Sequence, residues 1–136
     1  MAAPDGFLMT TPLVSYEYVV LRCVPRVDRG EFTNVGVVIH SQAVDFLDCA
    51  FFVDADRLRS LSPDLDLESL DATLQTVCGI CRGEQAPGRP SLKTLGKRFG
   101  WLSAPRSTVV QPGPVHGGLT KDPAAELERL LARLVG

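Results

Sequence analysis

The chain has 136 residues, of which 45% are hydrophobic and 22% charged, and its formal net charge is −2. This length fits one domain, and the composition is typical of a globular protein rather than a disordered one. The slightly acidic balance excludes a general attraction to nucleic acid or anionic membranes, and no apolar run approaches the roughly 20 residues of a membrane span.

The N-terminal residues predict a lead-in rather than a targeting segment. Residues 1–12 are aperiodic and contain Pro, Thr and Gly, so we expect a flexible lead-in followed by a single domain at residues 13–136. The basic region and long apolar core of a signal peptide are missing. We therefore expect a cytoplasmic protein whose four cysteines stay reduced.

Three strands are predicted in the first part of the domain. Val14–Val24 is rich in Val and Tyr and apolar on both faces, which is typical of a central strand, and Pro25 ends it. A polar loop, Arg26–Asn34, leads to a short apolar strand at Val35–Ile39, and a third strand follows at Val44–Val53. The short connections predict an antiparallel meander.

Three helices are predicted next. Asp54 is a typical N-cap residue for a short helix at Ala55–Leu61, and the spacing of apolar residues predicts a longer helix from about Asp66 to Arg82. A third helix is expected with Ser91 as its N-cap and an apolar face formed by Leu92, Leu95, Phe99 and Leu102.

The last part of the chain predicts one more strand and one more helix. Ser107–Gln111 is typical of a strand, Pro112–Gly118 of a tight glycine-rich loop, and Asp122-Pro123 of a capped helix start before a leucine stripe. The order β-β-β-α-α-α-β-α predicts an α+β fold, with an antiparallel sheet of about four strands and helices packed mainly on one face.

The cysteine pair Cys78-Gly79-Ile80-Cys81 has the spacing of a redox or metal motif. A redox pair needs an exposed helix N-terminus, whereas this pair lies on the apolar stripe near the end of its helix. A structural zinc site needs four ligands, and the sequence has no second such pair. We therefore interpret both cysteines as core residues and expect neither a metal nor a cofactor.

A first polar group surrounds the loop after the first strand. Arg22 lies on an otherwise apolar strand and needs a partner if it faces the sheet, and Glu31 is the nearest carboxylate candidate in the loop. Arg29 and Asn34 add charge and amide groups, and Gly30 or Gly36 allows a positive φ. These residues indicate either a well-anchored connection between strands or the rim of a pocket for an anionic or peptide ligand.

A second polar group surrounds the predicted fourth strand. Arg106, Ser107, Gln111 and His116 form a donor-rich set beside the glycine pair 117–118. Histidine transfers protons readily near neutral pH. However, Ser107 has no nucleophile motif around it and His116 has no evident acidic partner, so we favour a structural role for the histidine over a hydrolase.

Three stretches of the chain together indicate a family. They are Tyr18–Arg22 followed by Arg29–Val37, then Trp101–Thr108 continuing to Gln111 and Pro114–Leu119, and finally Asp122-Pro123 with the Leu127–Val135 helix. They resemble a bacterial family, the domain of unknown function numbered 3037. The resemblance covers nearly the whole chain. It implies no catalytic residues, and it implies a protein partner, because members often accompany HipA-type kinases in bacterial gene pairs.

Two hypotheses for the function remain open from the sequence. The favoured one is a non-catalytic binding or accessory module that partners another protein, with a HipA-type kinase as the first candidate. The alternative is a small enzyme or ligand-binding domain for an anionic metabolite. It requires the polar side chains to converge in one pocket with arginines that hold the anion, namely Arg22, Glu31, Asn34, Arg106, Ser107, Gln111 and His116.

Overall fold

A computed structural model of the chain describes residues 11–136. Over this range the elements are β1 (Val14–Cys23), β2 (Thr33–Ser41), β3 (Phe46–Phe51), α1 (Ala55–Leu61), α2 (Leu67–Cys81), α3 (Leu95–Ser103), β4 (Val110–Pro112), β5 (His116–Thr120) and α4 (Pro123–Leu134). The lead-in expected at residues 1–12 lies outside the described residues, apart from its last two positions. The α+β class and the antiparallel sheet predicted from the sequence are confirmed.

The sheet has the strand order β3-β2-β1-β4, and β5 also pairs with β1. All pairings are antiparallel. β4 and β5 lie end to end along the same edge of β1, where Arg22 pairs with Gln111 and Tyr18 pairs with His116. The segment 113–115 between them shifts the register by one residue, as in a β-bulge.

The expectation of a glycine-rich loop at Pro112–Gly118 is wrong, because part of β5 lies within these residues. Glycine is a weak strand former, but here the long edge of β1 supplies the backbone partners. At Gly118 a Cβ atom would lie 2.7 Å from the Tyr16 hydroxyl oxygen, so the close approach of β5 to that side chain requires glycine. The fourth strand also begins later than expected, at Val110 rather than Ser107.

The start of α3 differs from the expectation that Ser91 caps this helix. Thr94 is the N-cap, and its hydroxyl oxygen accepts a hydrogen bond from the Lys97 N–H at 3.2 Å. Both residues are suitable caps by type, so the sequence pattern alone does not choose between them. α1 and α2 begin after the expected aspartates, Asp54 and Asp66.

Helices cover both faces of the sheet. α1, α2 and α3 pack on one face, where Leu58, Leu74 and Phe99 join a core with alternate residues of β1. α4 packs on the opposite face against β2 and β3, and its Leu127 and Leu130 lie in a second core. Because α4 lies over β2 and β3, the parts of that face formed by β1, β4 and β5 are less covered by the residues that the structure describes.

A buried carboxylate anchors α4 to the sheet. The Tyr16 hydroxyl donates to Glu126 Oε2 at 2.5 Å, and Arg129 donates to both oxygens of the same carboxylate. Burial, together with the adjacent carboxylate, raises the pKa of Tyr16 to about 12. The Arg129 guanidinium lowers the pKa of Glu126, so this carboxylate stays charged in the folded protein.

The C-terminal end of α4 is also held by side chains. Asn34 Nδ2 donates to the Leu134 carbonyl at 3.1 Å, and Arg57 Nη1 donates to the Val135 carbonyl at 3.0 Å. These bonds satisfy carbonyl groups that have no partner within a helix. Among residues 11–136, no helix combines the length and the apolar character needed to cross a membrane.

Candidate binding surface

Three of the polar residues singled out from the sequence lie side by side across three strands. Arg22 of β1 pairs with Asn34 of β2 on one side and with Gln111 of β4 on the other. Residues directly opposite each other in an antiparallel pair point to the same face. The three side chains therefore form a row on the face that carries α4, next to the end of that helix.

The Arg22 side chain is held between an aromatic ring and a glycine. Its guanidinium carbon lies 4.2 Å from the centroid of the Phe32 ring. A Cβ atom at Gly113 would lie 3.2 Å from Cζ, Nε and Nη2 of Arg22, which is closer than most such contacts. This packing fixes the plane of the guanidinium, and it depends on the absence of a side chain at position 113.

Within residues 11–136, Arg22 has no charged partner. Its Nε atom is buried without a hydrogen-bond partner, and no described carboxylate lies within ion-pair distance of its guanidinium. A buried donor without a partner costs about 1–3 kcal/mol. The side chain as a whole is half-buried, so the arginine combines an ordered guanidinium with access from solvent.

The sequence indicated Glu31 as the partner of Arg22, and this expectation is wrong. It accepts from Arg29 at 2.7 and 3.1 Å in an exposed pair at the tip of the loop. Two residues apart in the same loop, these side chains meet without any contribution from the sheet. Gly30 between them has a φ of +71°, one of the two glycines expected to allow this conformation.

The other predicted residues lie elsewhere. Arg106 donates to the Trp101 carbonyl and lies 5.3 Å from the centroid of the same residue's ring, and Ser107 next to it is exposed. His116 stacks on Tyr18 with ring centroids 5.3 Å apart. Because Tyr18 and Arg22 are four residues apart on β1, their Cα atoms are about 13 Å apart. The predicted side chains thus do not converge in a single pocket.

A cleft lies beside the Arg29–Glu31 pair, between the loop after β1 and the turn from α1 to α2. One part has a volume of about 360 Å³ and a polar lining that includes Arg26, Arg29 and Asp64. An adjoining part of about 510 Å³ is more apolar and includes Leu65 and Val109. The arginine at the junction of the two parts, Arg26, is already paired with Asp28 at 3.0 Å.

The paired cysteines lie in the core together with a third cysteine. Cys78 and Cys81 are 5% and 2% exposed, and the Cys78 thiol lies 3.7 Å from the Cys49 carbonyl oxygen. Hydrogen bonding with Cys78 raises the pKa of Cys49, and burial raises the pKa of Cys23 to about 11. In the described part of the chain, no three His, Cys, Asp or Glu side chains are placed to hold a metal ion.

Sequence reasoning missed Phe32 and Gly113, the two residues that position Arg22. The signal for Phe32 is a large aromatic residue in an otherwise polar loop, where its side chain is 46% exposed. No local pattern connects Gly113 with Arg22, because the contact depends on how β4 pairs with β1. We refer below to Phe32, Arg22, Asn34, Gln111 and Gly113 as the Arg22 surface.

The family model described as protein of unknown function (DUF3037) matches residues 18–135. The chain belongs to this family. The match spans all of the elements from β2 to α4 and most of β1, and it confirms the resemblance noted from the sequence. Curated proteins and solved structures gave no match.

Proposed function

We propose that this DUF3037 protein is a non-catalytic binding module of the bacterial cytoplasm, and that it holds a partner protein through the Arg22 surface. The observation that carries the proposal is the state of Arg22. Its guanidinium is ordered against Phe32, reaches solvent, and has no carboxylate partner within the described residues.

The chemistry of this surface favours an acidic segment of a protein as its ligand. A guanidinium held in a fixed plane binds a carboxylate through two parallel hydrogen bonds. The exposed Phe32 ring offers an apolar contact next to the charge. Arginine and aromatic residues at the centre of a contact are typical of the few residues that dominate protein–protein binding. We infer an Asp or Glu of the partner, with an apolar neighbour that lies on Phe32.

The family resemblance supplies the first partner to test, a HipA-type kinase encoded nearby. The proposal itself needs only a protein partner that carries an acidic segment. Binding through an interface of this kind depends on the side chains of a few residues. We therefore expect single substitutions at these residues to weaken partner binding strongly.

Affinity purification of the tagged chain from its native host tests the proposal, with Arg22→Gln and Arg106→Gln compared with the wild type. Arg106 is a matched control because it also stacks on an aromatic ring, but its guanidinium is already bonded to the Trp101 carbonyl. We expect one stoichiometric protein partner with the wild type and with Arg106→Gln, and its loss with Arg22→Gln. Equal recovery with all three proteins would contradict the proposal.

A second variant separates the effect of the position of the Arg22 guanidinium from the effect of its charge. Gly113→Ala keeps the arginine but places a Cβ atom 3.2 Å from three of its atoms, so the guanidinium must move by a few tenths of an ångström. We expect weaker partner binding than in the wild type and stronger binding than in Arg22→Gln. Circular dichroism and urea unfolding of each variant establish that the fold is retained.

The cleft supports the second candidate, a binding domain for a small anionic metabolite. Its polar part, about 360 Å³, is large enough for a small molecule. Its arginines are paired with carboxylates of the same loop, which leaves less positive charge for an anion. A thermal-shift titration with inorganic phosphate and with succinate tests this candidate. Stabilisation that disappears in Arg26→Ala would favour it over the protein-binding module.

A further inference from the structure

Within residues 11–136, no strand pairs with the outer edge of β5. Val24 N–H donates to the Val109 carbonyl and Gly113 N–H donates to the Val20 carbonyl, so the backbone groups of even-numbered residues in β1 point toward β4 and β5. Since backbone groups alternate along a strand, those of 116, 118 and 120 in β5 face β1. The N–H and C=O groups of Gly117 and Leu119 therefore point away from the sheet, where no described strand pairs with them.

Exposed apolar side chains accompany this open edge. Leu13, Val115 and Leu119 are 57%, 48% and 63% exposed, and they are three of the nine large hydrophobic side chains exposed within residues 11–136. Leu119 lies opposite Ser15 in the pairing of β5 with β1, with Leu13 two residues before Ser15 and on the same face. Natural edge strands are usually protected by charges, prolines or bulges, and β5 carries none of these between its first and last residues.

We propose that β5 pairs with β5 of a second copy of this chain, antiparallel and with the two Gly118 residues facing each other across the two-fold axis. The hydrogen-bonded pair is then Gly117 of one copy with Leu119 of the other. Each Leu119 side chain lies over a glycine, where no side chain opposes it. The next hydrogen-bonded pair along the two strands joins Val115 of one copy with Lys121 of the other, so no like charges face each other.

The edge of β5 is complementary to itself, which favours a second copy of this chain as the partner. A two-fold interface uses the same residues twice, so each residue must fit its symmetry-related partner. Centring the pair on Leu119 would set Val115 opposite Pro123, where α4 begins and no N–H is available, so the ladder would be shorter. Centring it on Gly118 covers both leucines and leaves the charged side chains at the ends.

The contact is small, and we expect the association to be weak. Two short strands bury an area at the lower end of protein interfaces, where weak and transient complexes are found. The pairing is independent of the proposed function, because β5 pairs with the first half of β1 and Arg22 lies near its end.

Sedimentation equilibrium of the full chain from about 1 to 200 µM tests the proposal, with Leu119→Glu and Val44→Glu as matched variants. Val44 is 48% exposed, but it lies in the turn between β2 and β3. In the dimer, the Leu119→Glu substitution would place a carboxylate near Glu17 of the other copy, since Glu17 pairs with Gly117. We expect self-association of the wild type and of Val44→Glu, and association at least about tenfold weaker for Leu119→Glu. A monomeric wild type over this range would overturn the proposal, as would an unchanged association of Leu119→Glu.

Cysteine cross-linking tests the register. Gly117→Cys and Leu119→Cys chains carrying different tags are mixed in equal amounts with oxidised glutathione, while the native cysteines are buried. A disulfide between the two different variants, with little within either one alone, supports the Gly118-centred register. Cross-links mainly within the Gly117→Cys or the Leu119→Cys sample would overturn it.

Discussion

Replacing Tyr16 by Phe should destabilise the protein through the loss of one hydrogen bond. The ring is 7% exposed and stays in place, while the bond from its hydroxyl to Glu126 is lost. A hydrogen bond to a charged group contributes about 1.5–3 kcal/mol. Glu126 keeps its two bonds from Arg129, so we expect a loss of about 2 kcal/mol in the free energy of unfolding.

The pH dependence of this loss provides the sharper test. The pKa of Tyr16 is raised from 10.0 to about 12 in the folded protein, so its contribution is complete below pH 10 and disappears as the pH rises through 12. One pKa unit corresponds to about 1.4 kcal/mol, so about that amount should be lost between pH 9 and pH 11. In Tyr16→Phe this loss is absent, and the two proteins should therefore become more similar in stability as the pH rises.

Urea unfolding followed by circular dichroism at pH 7, 9 and 11 measures both effects. Tyr18→Phe is the matched control, because Tyr18 lies beside Tyr16 but its hydroxyl donates no hydrogen bond within the described residues. We expect Tyr18→Phe to change the stability by less than about 0.5 kcal/mol at pH 7. A loss of stability in Tyr16→Phe no larger than that of the control at pH 7 would contradict the role of this hydrogen bond. A difference from the wild type that stayed constant up to pH 11 would contradict it as well.

The remaining predictions concern packing, capping and thiol reactivity. Gly100→Ala in the interior of α3 should stabilise the fold by about 1 kcal/mol, because its Cβ meets nothing within 4 Å. Gly36→Ala should destabilise it by more than about 1 kcal/mol, because its Cβ would lie 3.0 Å from the Ala50 carbonyl oxygen; urea midpoints distinguish the two. Asp122→Ala removes the acceptor for two N–H groups at the start of α4 and should cost about 1 kcal/mol in thermal unfolding. Cys23, with its pKa raised to about 11, should resist iodoacetamide in the native protein at pH 8 and react on unfolding; rapid native labelling in peptide mass mapping would contradict its burial.

Strong local signals predicted most of the elements. Asp54, Asp66 and Asp122-Pro123 marked three helix starts correctly, because capping depends on residues within one turn. β5 was not predicted, because it depends on residues that are distant in sequence. Its two glycines carry no local preference for a strand, and the pairing with β1 that forms it joins residues about 100 positions apart in sequence.

The candidate site was predictable only in part. Arg22, Asn34 and Gln111 were singled out as polar residues on or beside apolar strands, and the sheet register brings them into one row. Their connection to Phe32 and Gly113 could not be derived, since it depends on the loop conformation and on the shift between β4 and β5. Glu31 was taken as the nearest candidate partner of Arg22, but Arg29 is only two residues from Glu31 and needs no particular sheet geometry to reach it.

Site-specific photocrosslinking tests the central claim most directly, that the Arg22 surface holds an acidic segment of a partner protein. A photoreactive phenylalanine replaces Phe32 in one variant and Trp101 in the other, since both side chains are similarly exposed, at 46% and 44%. We expect position 32 to cross-link to one protein of the native host, at a segment rich in Asp or Glu, and position 101 not to do so. No cross-link at position 32, or the same products from both positions, would contradict the account.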